Sequence, residues 1–115
     1  MIKLIALFKQ PEDVAVFEQH YNDVHVPLIK KVPYMRNFVS SKAFGAPRGE
    51  PAYYRVGEMW FDDRASFDKA MASDENRAAG KDLMSFARDV VTMIFVESQE
   101  IGDLGPGYSA TAGVE

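Results

Sequence analysis

Two apolar runs near the ends of this 115-residue chain constrain its fold more than any other feature. Residues 2–9 are mostly Ile, Leu and Phe, and residues 90–96 read Val-Val-Thr-Met-Ile-Phe-Val, so both have the composition of strands. Neither alternates as a strand with one wet face would. In the first, Ile2, Leu4, Ala6 and Phe8 lie on one side and Ile5 and Leu7 on the other. In the second, Val91, Met93 and Phe95 oppose Val90, Ile94 and Val96. Both sides of the sheet they enter must therefore be covered. The first run is too short to span a membrane and no small-residue cleavage site follows it, so the expectation is a first strand in a cytoplasmic protein.

Pro11, Glu12 and Asp13 stop that strand and suit a helix start. Val14, Phe17, Tyr21, Val24 and Leu28 then recur at steps of three and four, the spacing of one helical face. Pro27 lacks an N–H and its ring crowds the carbonyl of Asp23, which predicts a kink or an end near Val26. Residues 32–34 form a connector, residues 35–44 alternate loosely, and residues 46–51 are dense in turn formers, as a hairpin loop would be. Residues 53–61 read as a strand. Asp62 or Asp63 can cap a helix carrying Phe67, Ala70 and Met71, and Ser73-Asp74 opens a further helical stretch through Phe86. The order is β-α-β-β-α-β, an α+β, ferredoxin-like plan with a four-stranded antiparallel sheet. Right-handed crossovers put both helical segments on one face. The other face is left for a second copy, packed sheet against sheet about a two-fold axis, or for edge strands and tail folding back. The expected domain is 1–101. The Gly-rich tail, 102–115, is expected to be partly disordered or to lie on a neighbour.

With 13 Lys+Arg against 17 Asp+Glu the net charge is −4, so there is no basic field for a nucleic acid backbone. The absence of cysteine removes thiolate nucleophiles and Cys-ligated metals. No phosphate loop, dinucleotide fingerprint or nucleophile elbow is present, and no cofactor is expected. Proton transfer near neutral pH falls to His20 and His25. At about 100° per residue they flank the apolar stripe on opposite sides instead of pairing, and their i, i+5 spacing is wrong for a metal clamp. Each is either a boundary residue with one wet edge or a functional group, and Pro27 favours His25 by opening space nearby. Tyr21, Tyr34, Tyr53, Tyr54 and Trp60 could line a pocket or belong to the core. Glu58, sharing a face with Tyr54, Val56 and Trp60 by strand alternation, is either paired with Arg55 or Arg36 or is a perturbed acid in a cavity. Asp82 and Asp89 read as surface or cap groups.

The stretch Phe17-Glu18-Gln19-His20-Tyr21-Asn22-Asp23-Val24-His25-Val26-Pro27-Leu28 resembles the EthD family, whose helix-one signature is F-x-x-x-Y-x-x-x-H-x-P-L. Residues 53–63 with Phe67, the Asp82 and Phe86 pair and the closing strand also match, so the resemblance covers about residues 1–100. It implies a dimeric α+β barrel with a pocket between sheet and helices in each protomer. By the same resemblance His25 transfers a proton or orients a ligand and Tyr21 lines the site. The remaining expected pocket residues are His20, Leu28, Tyr54, Glu58 and Trp60. The reaction expected is a cofactor-independent isomerisation or cyclisation of a small, apolar, oxygenated compound. The alternatives are a non-catalytic small-molecule-binding accessory protein of a degradation cluster, or a haem-binding barrel using His25 or His20.

Overall fold

The apolar first run forms β1 (Ile2–Phe8), a central strand of the sheet. The computed structural model describes residues 1–102, so the tail expectation for 102–115 lies almost wholly outside the described residues. β2 (Asn37–Lys42), β3 (Arg55–Phe61) and β4 (Val91–Glu97) complete an antiparallel sheet in the order β2-β3-β1-β4. β1 pairs with β3 from Ile2↔Phe61 to Phe8↔Arg55, and with β4 from Ile2↔Glu97 to Phe8↔Val91. The fold is ferredoxin-like α+β.

The helices lie on one face. α1 (Val14–His20) starts where the Asp13 side chain accepts the Val16 N–H at 3.1 Å. α3 (Arg64–Met71) starts at Asp63, which accepts from Ser66 N at 2.8 Å. α4 (Asp74–Ala87) starts at Ser73, which accepts from Asn76 N at 3.1 Å. Each cap satisfies an amide the helix itself leaves unpaired.

The helix does not end at Val26. A π turn, Tyr21–His25, follows α1 and leads into α2 (Val26–Ile29), so the chain stays helical through Pro27. The Val26 N–H reaches back five residues to the Tyr21 carbonyl. Widening the turn by one residue just before the proline absorbs the missing N–H and the crowding that would kink an α-helix. It also changes which side chains turn inward. Tyr21, His25 and Ile29 are buried, whereas Val24, which α spacing would turn inward, is 41% exposed.

Two apolar clusters fill the space between helices and sheet. One joins Leu4, Met59, Phe61, Phe67, Ala70 and Ala79, and the other joins Phe8, Phe17, Tyr21, Tyr54, Leu83 and Ala87. Phe8 meets Phe17 and Tyr21 edge to face at 5.5 and 5.8 Å, a favourable arrangement of ring quadrupoles. The opposite sheet face has no cover from the described residues. Its central rows run Ser41–Val56–Leu7–Thr92, Val39–Glu58–Ile5–Ile94 and Asn37–Trp60–Lys3–Val96. Most of these side chains are apolar, as the two-sided pattern of the terminal strands requires.

Gly80 stands inside α4 with no atom within 4 Å of the position its Cβ would take. Gly80→Ala is therefore expected to raise stability by about 0.5–1 kcal/mol through reduced backbone entropy of the unfolded chain. Urea denaturation checks this, and destabilisation would contradict the open space.

Candidate active site

Between the helical layer and the sheet lies a cavity of about 200 Å³. Its walls are apolar: Leu4, Ala6 and Phe8 from β1, Phe38 from β2, Met59 from β3, Met93 and Phe95 from β4, and Ile29 and Leu83 from the helices. Since roughly 150 Å³ suffices for benzene, the space suits a single-ring molecule. The polar side chains on the wall are His25, Tyr21 and Asn76. Asn76 turns its amide onto the Met71 carbonyl and sulfur at 3.4 and 3.7 Å, leaving His25 and Tyr21 as the groups for chemistry.

His25 is 4% exposed, and its Nδ1 lies 3.0 Å from Asp82 Oδ2. The other Asp82 oxygen, Oδ1, is 2.8 Å from His20 Nε2. A carboxylate can only accept, so both contacting imidazole nitrogens carry hydrogen and donate. Neutral His25 is then the Nδ1–H tautomer. Its Nε2 keeps a bare lone pair, on a ring that lines the cavity. Phe86 packs against both rings, at 4.4 Å from His20 and 5.2 Å from His25.

The two histidines thus meet on one carboxylate, contrary to the expectation that they flank the stripe. In a π turn residues five apart lie nearly one above the other, so the i, i+5 spacing that separates them on an α-helix brings them together. Asp82, read as a surface or cap group, is the residue that joins them. It sits on α4 between inward Ala79 and Leu83, four residues before Phe86, a position that local pattern alone does not tell from a surface acid.

Burial lowers the pKa of His25 below 6.5, with His20 adding to the effect and the hydrogen bond and charge of Asp82 opposing it. The imidazole is therefore a neutral base at pH 7. In the unfolded chain His25 binds a proton near pH 6.5, and in the fold it does so only at lower pH. The unfolded state takes up more protons in that interval, so stability is expected to fall as pH drops below about 6.5. Thermal melts from pH 7.5 to 5 check this, and His25→Gln should flatten part of the slope.

Tyr21 is buried, its pKa is raised mainly by that burial, and it remains a phenol. Its hydroxyl lies 2.6 Å from Ser40 Oγ. The other expected pocket residues lie elsewhere. His20 is behind the cavity wall, reaching it only through Asp82. The π turn leaves Leu28 half-buried against the other core cluster while Ile29 takes its inward place. Tyr54 precedes β3, so strand alternation does not govern it. It packs with Phe17, Tyr21 and Leu83. Glu58 and Trp60 are on the open sheet face, because the inward positions of β3 are Arg55, Gly57, Met59 and Phe61. There Trp60 Nε1 donates to Glu58 at 3.2 Å and Lys3 lies 3.9 Å from the same carboxylate. Neither expected arginine partner reaches Glu58, since Arg55 pairs with Glu18 and Arg36 with Asp62. Among the described residues His25 is the single imidazole on the cavity wall.

Fold and site together define a ferredoxin-like domain with an apolar chamber under its helices and, on the chamber wall, a histidine backed by a carboxylate. Residues 9–90 match the EthD domain, and the chain belongs to the EthD family. It is 30% identical over 101 residues to an uncharacterized 11.0 kDa protein from the thcB–thcC intergenic region of Rhodococcus erythropolis, covering 88% of this chain and 98% of that one. An EthD family protein from Bacillus halodurans, known from its crystal structure, is 42% identical, with TM-score 0.83 over 86% of this chain and 99% of that one. A dimeric ferredoxin-like protein of unknown function from Jannaschia sp. shares the fold at 14% identity, with TM-score 0.62 over 84% and 98% of the two chains. Among the described residues no helix is long and apolar enough to cross a membrane.

Proposed function

We propose that this protein catalyses cofactor-independent proton transfer on a small, mostly apolar, oxygenated compound, with His25 as general base. The observation that carries the reading is the Nδ1–Asp82 contact of 3.0 Å on the wall of an apolar cavity, which leaves His25 Nε2 as a lone-pair donor toward a bound molecule. In the step this permits, Nε2 takes a proton from carbon adjacent to a carbonyl and the C–H electrons become an enolate. The imidazolium, whose N–H exchanges with solvent, returns a proton at another carbon, which is isomerisation, or the enolate carbon attacks a second carbonyl and the resulting alkoxide takes the imidazolium proton, which is cyclisation. Asp82 stabilises the imidazolium between the two halves. The apolar walls limit the water that reaches the enolate.

The test uses small cyclic ketones, enones and lactones in D2O, with proton NMR reading exchange next to the carbonyl. Exchange by the native protein and its loss in His25→Gln are expected; exchange that persists in His25→Gln overturns the assignment. Binding of these compounds without exchange would point to the accessory-protein alternative.

The working unit is a homodimer in which a second copy covers the open sheet face. What supports this is the apolar character of that face together with the dimeric ferredoxin-like relative.

A further inference from the structure

Behind Tyr21 runs a chain of polar contacts that the His25 chemistry does not use. Glu18 grips Arg55 with two contacts to Nη2, at 2.7 and 3.0 Å. Arg55 Nη1 donates to Ser40 Oγ at 3.0 Å, and Ser40 Oγ stands 2.6 Å from the Tyr21 hydroxyl. The guanidinium carbon also lies 4.7 Å over the Tyr21 ring. A cation donating to Ser40 Oγ orients that hydroxyl dipole with oxygen toward Arg55 and hydrogen away, toward the Tyr21 oxygen. Ser40 can then give its hydrogen to the Tyr21 oxygen, which leaves the phenol proton free to donate elsewhere. The cavity offers that direction. A Cβ at Gly57 would stand 3.7 Å from the Tyr21 hydroxyl, so the missing side chain leaves a place beside it for a ligand atom.

We propose that Arg55 and Ser40 set the Tyr21 hydroxyl as an oxyanion donor facing the cavity, so that the site takes single-ring compounds whose oxygen carries or develops negative charge, such as enolisable ketones, lactones and phenols. Tyr21 is the group that touches the ligand, whereas Ser40 and Arg55 are positioning residues. The proposal deepens the proton-transfer reading, since the enolate made by His25 would place its charge on the oxygen Tyr21 receives. A neutral donor held ready against apolar walls stabilises such charge better than water-exposed groups do.

The probe is 4-nitrophenol, whose ionisation is read by absorbance, titrated into the full-length protein across a range of pH. Bound probe is expected to ionise at least one pH unit below free probe, a tenfold preference for phenolate over phenol. Tyr21→Phe should abolish that preference. Ser40→Ala, on the exposed edge strand β2, should reduce it several-fold while binding of the neutral phenol persists. Gly57→Ala, whose methyl makes only ordinary contacts, should reduce it by shielding the hydroxyl. His25→Gln should retain most of it, so this outcome is separable from failure of the base assignment. An unchanged preference in Tyr21→Phe or in Ser40→Ala overturns the proposal, as does failure of the probe to bind the native protein.

Discussion

Asp82→Asn is expected to reduce proton transfer by about 10³-fold while leaving the fold intact; the corresponding change in a serine protease triad costs roughly 10⁴. The reason is tautomeric. Asp82 accepts from His25 Nδ1 at 3.0 Å and so fixes the proton on that nitrogen, leaving Nε2 basic. An asparagine amide can instead donate to Nδ1, which drives the imidazole proton to Nε2 and removes the lone pair from the cavity side. Asp82→Ala has a different signature: the tautomer is no longer fixed, and the imidazolium loses its counter-charge inside a buried site. Nitrogen NMR distinguishes the cases without any substrate. In the native protein at pH 7.5, Nε2 of His25 should resonate as an unprotonated nitrogen, and in Asp82→Asn as a protonated one. An unprotonated Nε2 in Asp82→Asn, or exchange rates equal to the native protein's, would sink the role assigned to Asp82. His20 adds a control: its side chain is 31% exposed and touches the same carboxylate, so His20→Gln should change the pH dependence of exchange more than its plateau.

Periodicity and turn chemistry make the element order legible, because each boundary carries a local cause: Pro11 before α1, the Asp63 cap before α3, and the Ser73 cap before α4. The site is only half legible. His25 stands out because it is one of two histidines beside a proline, but its inward direction depends on how the helix accommodates Pro27. The sequence permits a kink, an end or a widened turn there. The widened turn is favoured in the fold because it buries Tyr21, His25 and Ile29 together, a gain that belongs to tertiary packing. Asp82 is invisible for a related reason. It lies 57 residues from His25, and an acid on an amphipathic helix has the same local pattern whether it meets water or an imidazole. Glu58 and Trp60 illustrate the reverse problem, since alternation correctly separates two faces of β3 but does not say which of them the helices cover.

Placing a charge on the open sheet face by Ile94→Glu is expected to weaken the dimer by about a hundredfold or more in Kd, since an unpaired carboxylate buried between two sheets costs at least about 3 kcal/mol. Ile94 lies in the row Val39–Glu58–Ile5–Ile94 and is 46% exposed in the single chain, so the isolated protomer tolerates the substitution. Val16→Glu, on the outer surface of α1 where the native residue is 63% exposed, is the matched control and should leave the mass unchanged. Sedimentation over a dilution series reads both. The native protein should sediment at twice the chain mass, and the Ile94→Glu protein should approach the single-chain mass as it is diluted. Its melting temperature should then depend on concentration, because dissociation returns Ile5, Leu7, Val56 and Val96 to water and removes the stabilisation that association supplies. A native protein that sediments as a monomer would overturn the second-copy reading and leave the apolar outer side of β1 and β4 to be covered by the chain itself.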